Sequence, residues 1–416
     1  MNPATLIFLL TYIMVALGEN SPRKLDRPTA TLLGAVLMVA TGALTRAEAG
    51  AAIDISTLAV LFGLMLLLTI LMQSGFPTWL AFKALGRCRG PRTLLALVVF
   101  SSGLTSALML NDTVCLIGTP LLLEMTAQVG LPATPYLLAL ATSANIGSVM
   151  TLTGNPQNII IGQASGWSWG GFAWRMAPVG LICLAANWLL LSLLLHRQLA
   201  GGRFTEPTYT PPHLKLDRRL AIKSVLVFVG LIIGFLWGWP MDFATVAAGT
   251  LLLVWSNHPP GETLIKVDWT LLLFFAGLFV VVQGFLNAGT PMLLRLEALA
   301  KPLGDHPGWG NIGLLSIAVV TGSNLFSNVP LVLFVSHWIE NMAHPQFLWL
   351  LLSLTSTLAG NLTLFGSVAN LIVAQGAQRR SPLKFGDFLW VGLPITLVTT
   401  TLGVLILWVF FRWGWI

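Results

Sequence analysis

Four short polar sequences interrupt a chain that is otherwise apolar, and they hold the residues able to do chemistry. Asn111-Asp112-Thr113 falls inside the apolar stretch 93–130, and Thr153-Gly154-Asn155-Pro156, followed by Asn158, inside a stretch beginning near 134. Ser327-Asn328-Val329-Pro330 falls inside 309–343, and Phe365-Gly366-Ser367, followed by Asn370, inside one beginning near 345. Glycine lets the chain leave helical geometry, and Pro156 and Pro330 each remove a backbone donor, so these are sites of broken helices. A broken helix offers two kinds of ligand. Its new N-terminus aims N–H groups and a partial positive charge at anions, while its freed carbonyls coordinate Na⁺ or accept a proton-bearing group. The plainer alternative is that the Asn and Ser side chains only cap the breaks and glue helices together. At this level both readings stand.

Asp112 is the one acidic residue that the sequence places at full membrane depth. Asp54, Asp242, Asp268, Glu340 and Asp387 fall at or near the ends of apolar stretches, and Glu124 lies twelve residues beyond Asp112. In a helix those residues span ~18 Å, enough to reach an interface. An intramembrane carboxylate is a functional group by default, because inserting one costs ~2.5–3.5 kcal/mol. Burial disfavours its ionised form and a nearby cation favours it, so the group can exchange H⁺ against a cation. The expected role of Asp112 is coupling. The alternative is a carboxylate held by backbone amides at the start of a return arm. Asn111, Asp112, Ser327 and Asn328 together are also a candidate Na⁺ ligand set. Cys115, one helical turn beyond Asp112, reads as small packing material.

The elements that must position these groups are transmembrane helices. Of 416 residues 56% are hydrophobic and 9% charged, against about a quarter charged in soluble domains, so the solvent must be largely lipid. Apolar segments of spanning length fall at 3–18, 29–45, 54–73, 134–153, 174–196, 219–239, 241–256, 268–286, 345–364 and 387–411. Regions 93–130 and 309–343 read as re-entrant hairpins, since a polar break survives at membrane depth only against protein or water. The first segment has no basic lead and no cleavage site, and reads as a span rather than a signal peptide. Three scattered Cys and no Cys/His cluster exclude a disulfide framework and a strong zinc or iron–sulfur site. No resident cofactor is expected, only Na⁺ or H⁺ as coupling ion. The net charge of +7 sits mostly in loops, where it sets topology rather than binding nucleic acid. An intramembrane enzyme is less favoured because no catalytic His/Asp/Glu cluster and no sizeable soluble domain is visible, and a passive channel because it needs a continuous water path rather than two closed hairpins.

Basic clusters orient the chain: Arg87, Arg89 and Arg92; Arg197, Arg203, Lys215, Arg218, Arg219 and Lys223; Arg379, Arg380 and Lys384. Placing them in the cytoplasm puts both termini outside a cell membrane, expected to be a bacterial inner membrane, with the first hairpin entering from the cytoplasm and the second from outside. The chain also resembles itself. Asp54, Gly63, Gly75, Pro77, Ala84 and Leu85 meet Asp268, Gly277, Gly289, Pro291, Ala298 and Leu299 at an offset of 214. Thr151, Leu152, Gly154 and Asn158 meet Thr363, Leu364, Gly366 and Asn370 at 212. Residues 1–200 therefore read as a first repeat of five spans and a cytoplasmic-side hairpin, 201–218 as a linker, and 219–416 as a second repeat with an external-side hairpin. An odd span count inverts the second copy, the pattern of secondary transporters with midplane sites. The expected fold is an all-α, inverted-repeat membrane transporter of about ten spans. Segments 76–90 and 290–304 read as surface-lying amphipathic helices.

At NDTVCLIGTPLLLE (111–124), ATSANIGSVMTLTGNPQNIIIG (141–162), SNVPLVLF (327–334) and AGNLTLFGSVANLIVAQGA (359–377) the sequence resembles citrate-transporter-like permeases of the ion transporter superfamily. That group includes divalent-anion/sodium symporters, arsenite efflux permeases and sodium–proton antiporters. In the dicarboxylate symporters each hairpin tip carries Ser-Asn-Thr, which binds substrate carboxylate and helps form a sodium site. Here the second tip has Val329 in place of Thr, and the first has Asp112 in place of the amide. A carboxylate beside a dianion is unfavourable unless protonated or paired. The resemblance thus implies a transporter of a small anion (dicarboxylate or citrate-like, inorganic oxyanion, or arsenite) coupled to H⁺ or Na⁺ by alternating access, with a sodium–proton antiporter as the alternative. It further implies a homodimer and an elevator-like moving domain, and for arsenite permeases a partner ATPase, since no GxxxxGK[ST] motif is present.

Overall fold

The computed structural model describes residues 2–17, 26–200, 216–289 and 291–416. Most of the linker expected at 201–218, with Arg203 and Lys215, lies outside the described residues. The first part of the chain runs α1 (Pro3–Leu17), α2 (Arg27–Ala40), α3 (Arg46–Ala52), α4 (Ile55–Gln73) and α5 (Phe76–Leu85). Then come two helix pairs, α6 (Pro91–Leu108) with α7 (Asn111–Gln128), and α8 (Thr134–Ser148) with α9 (Pro156–Ser165). The long α10 (Trp169–Leu194) and short α11 (His196–Ala200) follow. The second part runs α12 (Arg218–Leu236), α13 (Met241–Trp255), α14 (Pro260–Leu264), α15 (Trp269–Asn287) and α16 (Pro291–Asp305). Its helix pairs are α17 (Trp309–Phe326) with α18 (Asn328–Ile339), and α19 (Pro345–Ala359) with α20 (Val368–Ala377), before the final α21 (Phe385–Arg412).

Among the described residues there is no strand. α4, α6, α10, α12, α15, α17 and α21 are long and apolar enough to cross a membrane. The spans expected at 134–153 and 345–364 stop at Ser148 and Ala359, where the polar breaks begin. α2 and α13, with 14 and 15 residues, reach only ~21–23 Å against a hydrocarbon core of ~30 Å. The helices of the segments expected at 29–45 and 241–256 are thus shorter than the hydrocarbon core, and α2 ends at Ala40 instead of continuing to Thr45. The chain turns at Thr41–Thr45, and a Thr45/Glu48 capping box starts α3.

Packing follows the repeat. α2 lies on α15 and α13 on α4, α1 lies on α2 and α12 on α13, while α7 pairs with α20 and α18 with α9. These six pairings relate one half to the other two by two. The α4–α13 contact needs a glycine: a Cβ on Gly63 would collide with the backbone of Thr245, and its counterpart Gly277 meets Thr31 in the same way. Small residues let backbones approach where lipid supplies no hydrophobic drive between helices. Gly63→Val is expected to cost ~3 kcal/mol or more by overpacking, read as a lower melting temperature in detergent. Gly50→Val, where nothing lies within 4 Å, should melt like the parent.

Candidate functional site

The breaks are built by side chains bonding to carbonyls that the helices release. At the first, Asn158 Nδ2 donates to the carbonyls of Ser148 and Thr151, 3.0 Å each. At the second, Asn370 Nδ2 donates to those of Gly360 (2.7 Å) and Thr363 (3.1 Å). All three positions correspond at an offset of 212. Asn155 caps α9 by accepting from the Asn158 N–H at 2.8 Å, and Ser367 caps α20 by accepting from the Ala369 N–H at 3.2 Å. Each cap also reaches the other half: Asn155 Nδ2 donates to Thr357 Oγ1 at 3.2 Å, and Ser367 Oγ donates to Asn145 Oδ1 at 3.0 Å.

Asn145, fully buried in α8, joins these parts. Its Oδ1 also accepts from Asn111 Nδ2 at 3.0 Å, and its Nδ2 donates to Asn361 Oδ1 (2.9 Å) and Asn370 Oδ1 (3.0 Å). The first hairpin tip is further held by the Asn111 N–H donating to the Gly154 carbonyl at 2.9 Å. At the second tip Asn328 Nδ2, oriented to donate, reaches the carbonyls of Gly366 and Ser356 at 3.2 Å each. Ser327 occupies φ 73°, ψ 156°, a region open essentially to glycine alone and costing ~1–3 kcal/mol. Ser327→Gly is accordingly expected to raise the melting temperature while lowering transport, because it takes a polar side chain from a residue that lines the cavity described next.

A cavity of about 210 Å³ lies where the halves meet. Asn111 and Asp112, Pro156, Ser327 and Asn328, and Ser367 all line it. α7, α9, α18 and α20 start at Asn111, Pro156, Asn328 and Val368, so four helix N-termini converge on one space, each contributing partial positive charge. The opposite wall comes from α2 and α15: Arg27, Pro28, Asp268, Thr270, Phe274 and Phe275. The cavity thus holds one guanidinium and two carboxylates. Asn111 is 4% exposed, and its Oδ1 has no hydrogen-bond partner among the described residues.

The remaining expected site residues lie elsewhere. Asn158 and Asn370 are consumed by the breaks, and Thr153 accepts from Trp169 Nε1 at 3.1 Å. Gly154 and Gly366 sit in the turns, Gly366 against Asn324. Thr113 and Pro330 face two larger apolar crevices outside the polar cavity. All four residues of the candidate Na⁺ set do line the one cavity. Sequence reasoning placed Asp268 at a span end, passed over Arg27, and did not single out Asn145 or Gln157, which also lines the cavity. The signal for Arg27 was present: it stands between Asp26 and Pro28, just after Arg23 and Lys24, at the start of an apolar segment and in repeat register with Met241. No group of three potential metal ligands occurs among the described residues.

Residues 12–355 match the citrate transporter family CitMHS. The silicon efflux transporter LSI3 of Oryza sativa subsp. japonica is 32% identical, over 91% of this chain and 92% of its own length. A transporter of Dictyostelium discoideum designated arsB is 26% identical, over 96% and 91%. In fold the chain is similar to the YdaH transporter of Alcanivorax borkumensis, with a TM-score of 0.61 at 15% identity, covering 99% of this chain and 97% of that one. A match over most of its length makes this chain a member of the CitMHS citrate transporter family, a multi-pass membrane transporter and not an enzyme.

Proposed function

We propose that the protein is a secondary active transporter of a small oxyacid or its anion, moved out of the cell in exchange for protons carried on Asp112. The observation that carries this reading is the pairing of opposite needs in one cavity. Four helix N-termini and Arg27 require acceptor oxygens, while the unpartnered Asn111 Oδ1, beside Asp112, requires a donor. A hydroxylated oxyacid such as silicic or arsenious acid presents both on one small molecule. A bare dicarboxylate offers only acceptors and would meet two carboxylates. The names borne by two relatives, a silicon efflux transporter and arsB, agree with that class.

Purified protein in proteoliposomes, loaded in turn with silicic acid, arsenite, citrate, succinate and sulfate, tests the reading. A pH gradient is expected to drive silicic acid or arsenite uphill, with lumenal pH changing in step. Proton movement triggered by Na⁺ alone, with none of these solutes present, would instead establish a sodium–proton antiporter. In that reading Asn111, Asp112, Ser327 and Asn328 hold the ion.

A further inference from the structure

Among the described residues the cavity opens between α20 and α15, whereas their counterparts α9 and α4 are in contact. α9 packs directly on α4, with the Met241 methyl group over Gly162. Between their counterparts α20 and α15 lies the cavity, walled by Val368 and Ile372 on one side and Leu271, Phe274 and Phe275 on the other. If the halves exchange roles, as inverted repeats do in alternating access, the register names the groups that would line the site on the closed side. At an offset of 214, Arg27 corresponds to Met241, Pro28 to Asp242, Asp268 to Asp54 and Thr270 to Ser56. These counterparts already sit together, half-buried: Ser56 Oγ donates to Asp242 Oδ2 at 2.8 Å, and Asp54 caps α4 through the Thr57 N–H at 3.0 Å.

Among the described residues the charges of the two sides differ. The cavity side sets Arg27 with Asp268, while the adjacent Asp26, outside the cavity lining, accepts from the Thr29 N–H at 2.9 Å. The closed side has Asp54 and Asp242, and uncharged Met241 where the cavity side has Arg27. The helices packed against α7 add little: α8 and α20 carry no charged residue, Arg92 lies at the far end of α6, and Lys83 of α5 sits over Trp79 at 4.5 Å. Glu124 lies near the other end of α7 itself.

We infer that Arg27 gives proton coupling its direction: Asp112 takes up a proton when it faces Asp54 and Asp242, and gives it up beside Arg27. Facing the first pair, a carboxylate and a proton from water become the acid. Beside the guanidinium, the acid returns a proton to water and the carboxylate is held by the opposite charge. Arg27 is a positioning residue in this scheme and carries no proton. With Arg27 on the cytoplasmic side, as the basic loops place it, protons run inward while solute leaves. The inference rests on the proposed role of Asp112 as the coupling group.

Infrared spectroscopy of the full chain in lipid nanodiscs tests it without any solute. The carboxylic acid C=O stretch of Asp112, assigned by its loss in Asp112→Asn, is expected to strengthen about twofold or more in Arg27→Met at equal pH. Arg27→Lys should return it to the parent's intensity, which a merely structural role for the guanidinium fork would not do. Equal bands in all three proteins would overturn the inference. Met241→Arg is an independent arm, useful if Arg27→Met fails to fold. A cation on the closed side is expected to abolish arsenite-dependent proton movement in proteoliposomes, and unchanged proton movement would contradict the inference. Failure of every solute to move protons in the parent protein would count against the proposed function alone, since the infrared arm needs no solute.

Discussion

Asn145→Ala is expected to abolish transport and to lower the melting temperature in detergent more than any other single substitution in the polar network. The side chain makes four hydrogen bonds with its two ends, to Asn111 and Ser367 through Oδ1 and to Asn361 and Asn370 through Nδ2. Its removal leaves two donors and two acceptors buried. They cannot turn to one another, because Asn370 Nδ2 is tied to two break carbonyls and Asn361 Nδ2 to the carbonyl of Thr142 at 3.2 Å. Each orphaned group costs about 1–3 kcal/mol, so the sum exceeds ~4 kcal/mol. At ~2–4 °C per kcal/mol, the scale for single domains of intermediate size, that is a shift of roughly 8 °C or more. The functional loss should be larger than stability explains, since Asn145 ties the first hairpin tip to both broken helices. Asn145→Asp keeps the acceptor but sets its second oxygen against Asn361 Oδ1 and Asn370 Oδ1, so it should fail as well. Melting curves and solute flux, corrected for the amount of folded protein, check this. A near-parental melting curve would show that the network does not hold the site.

Asp112→Asn is expected to separate solute movement from proton movement. The substitution is nearly isosteric, so the cavity keeps its shape and loses one titratable charge among the groups that line it, Arg27 and Asp268 being the others. In proteoliposomes carrying a lumenal pH dye, solute-triggered proton flux should fall roughly tenfold or more relative to solute flux, because a neutral amide can neither take up nor release a proton. Solute flux should fall too, since the lost charge belongs to a residue that lines the binding cavity. Coupled transport with unchanged pH dependence would remove Asp112 from the mechanism. Asp112→Glu keeps the titrating group and should preserve coupling at a reduced rate.

The two hairpin tips and both breaks were legible because their residue types contradict their surroundings. Amides, glycine and proline at membrane depth are tolerated only against protein or water. The hydrogen-bond pattern of Asn158 and Asn370 was foreshadowed by their matching positions in the repeat. What they do was not, because a buried Asn reads the same whether it binds a solute or caps a helix. Asn145 was hidden for a related reason: it lies inside an uninterrupted helical pattern, and nothing in that pattern marks where its amide points. Arg27 and Asp268 were hidden by their position at segment ends, where charges ordinarily meet water.

From the sequence alone came the membrane class, the repeat, the four polar breaks and the one carboxylate at hairpin-tip depth, all consequences of local composition and spacing read against the polarity of lipid. Only the tertiary structure decided which of those groups share a cavity. It set Asn111, Asp112, Ser327, Asn328 and Ser367 around one space with Arg27 and Asp268, and turned Asn158 and Asn370 inward to satisfy the breaks. The physical reason is that a broken helix releases carbonyls that must be paired in place, and the side chain nearest each is committed first. The groups left over at the helix N-termini are then free to meet a solute, and which these are depends on how the two halves pack.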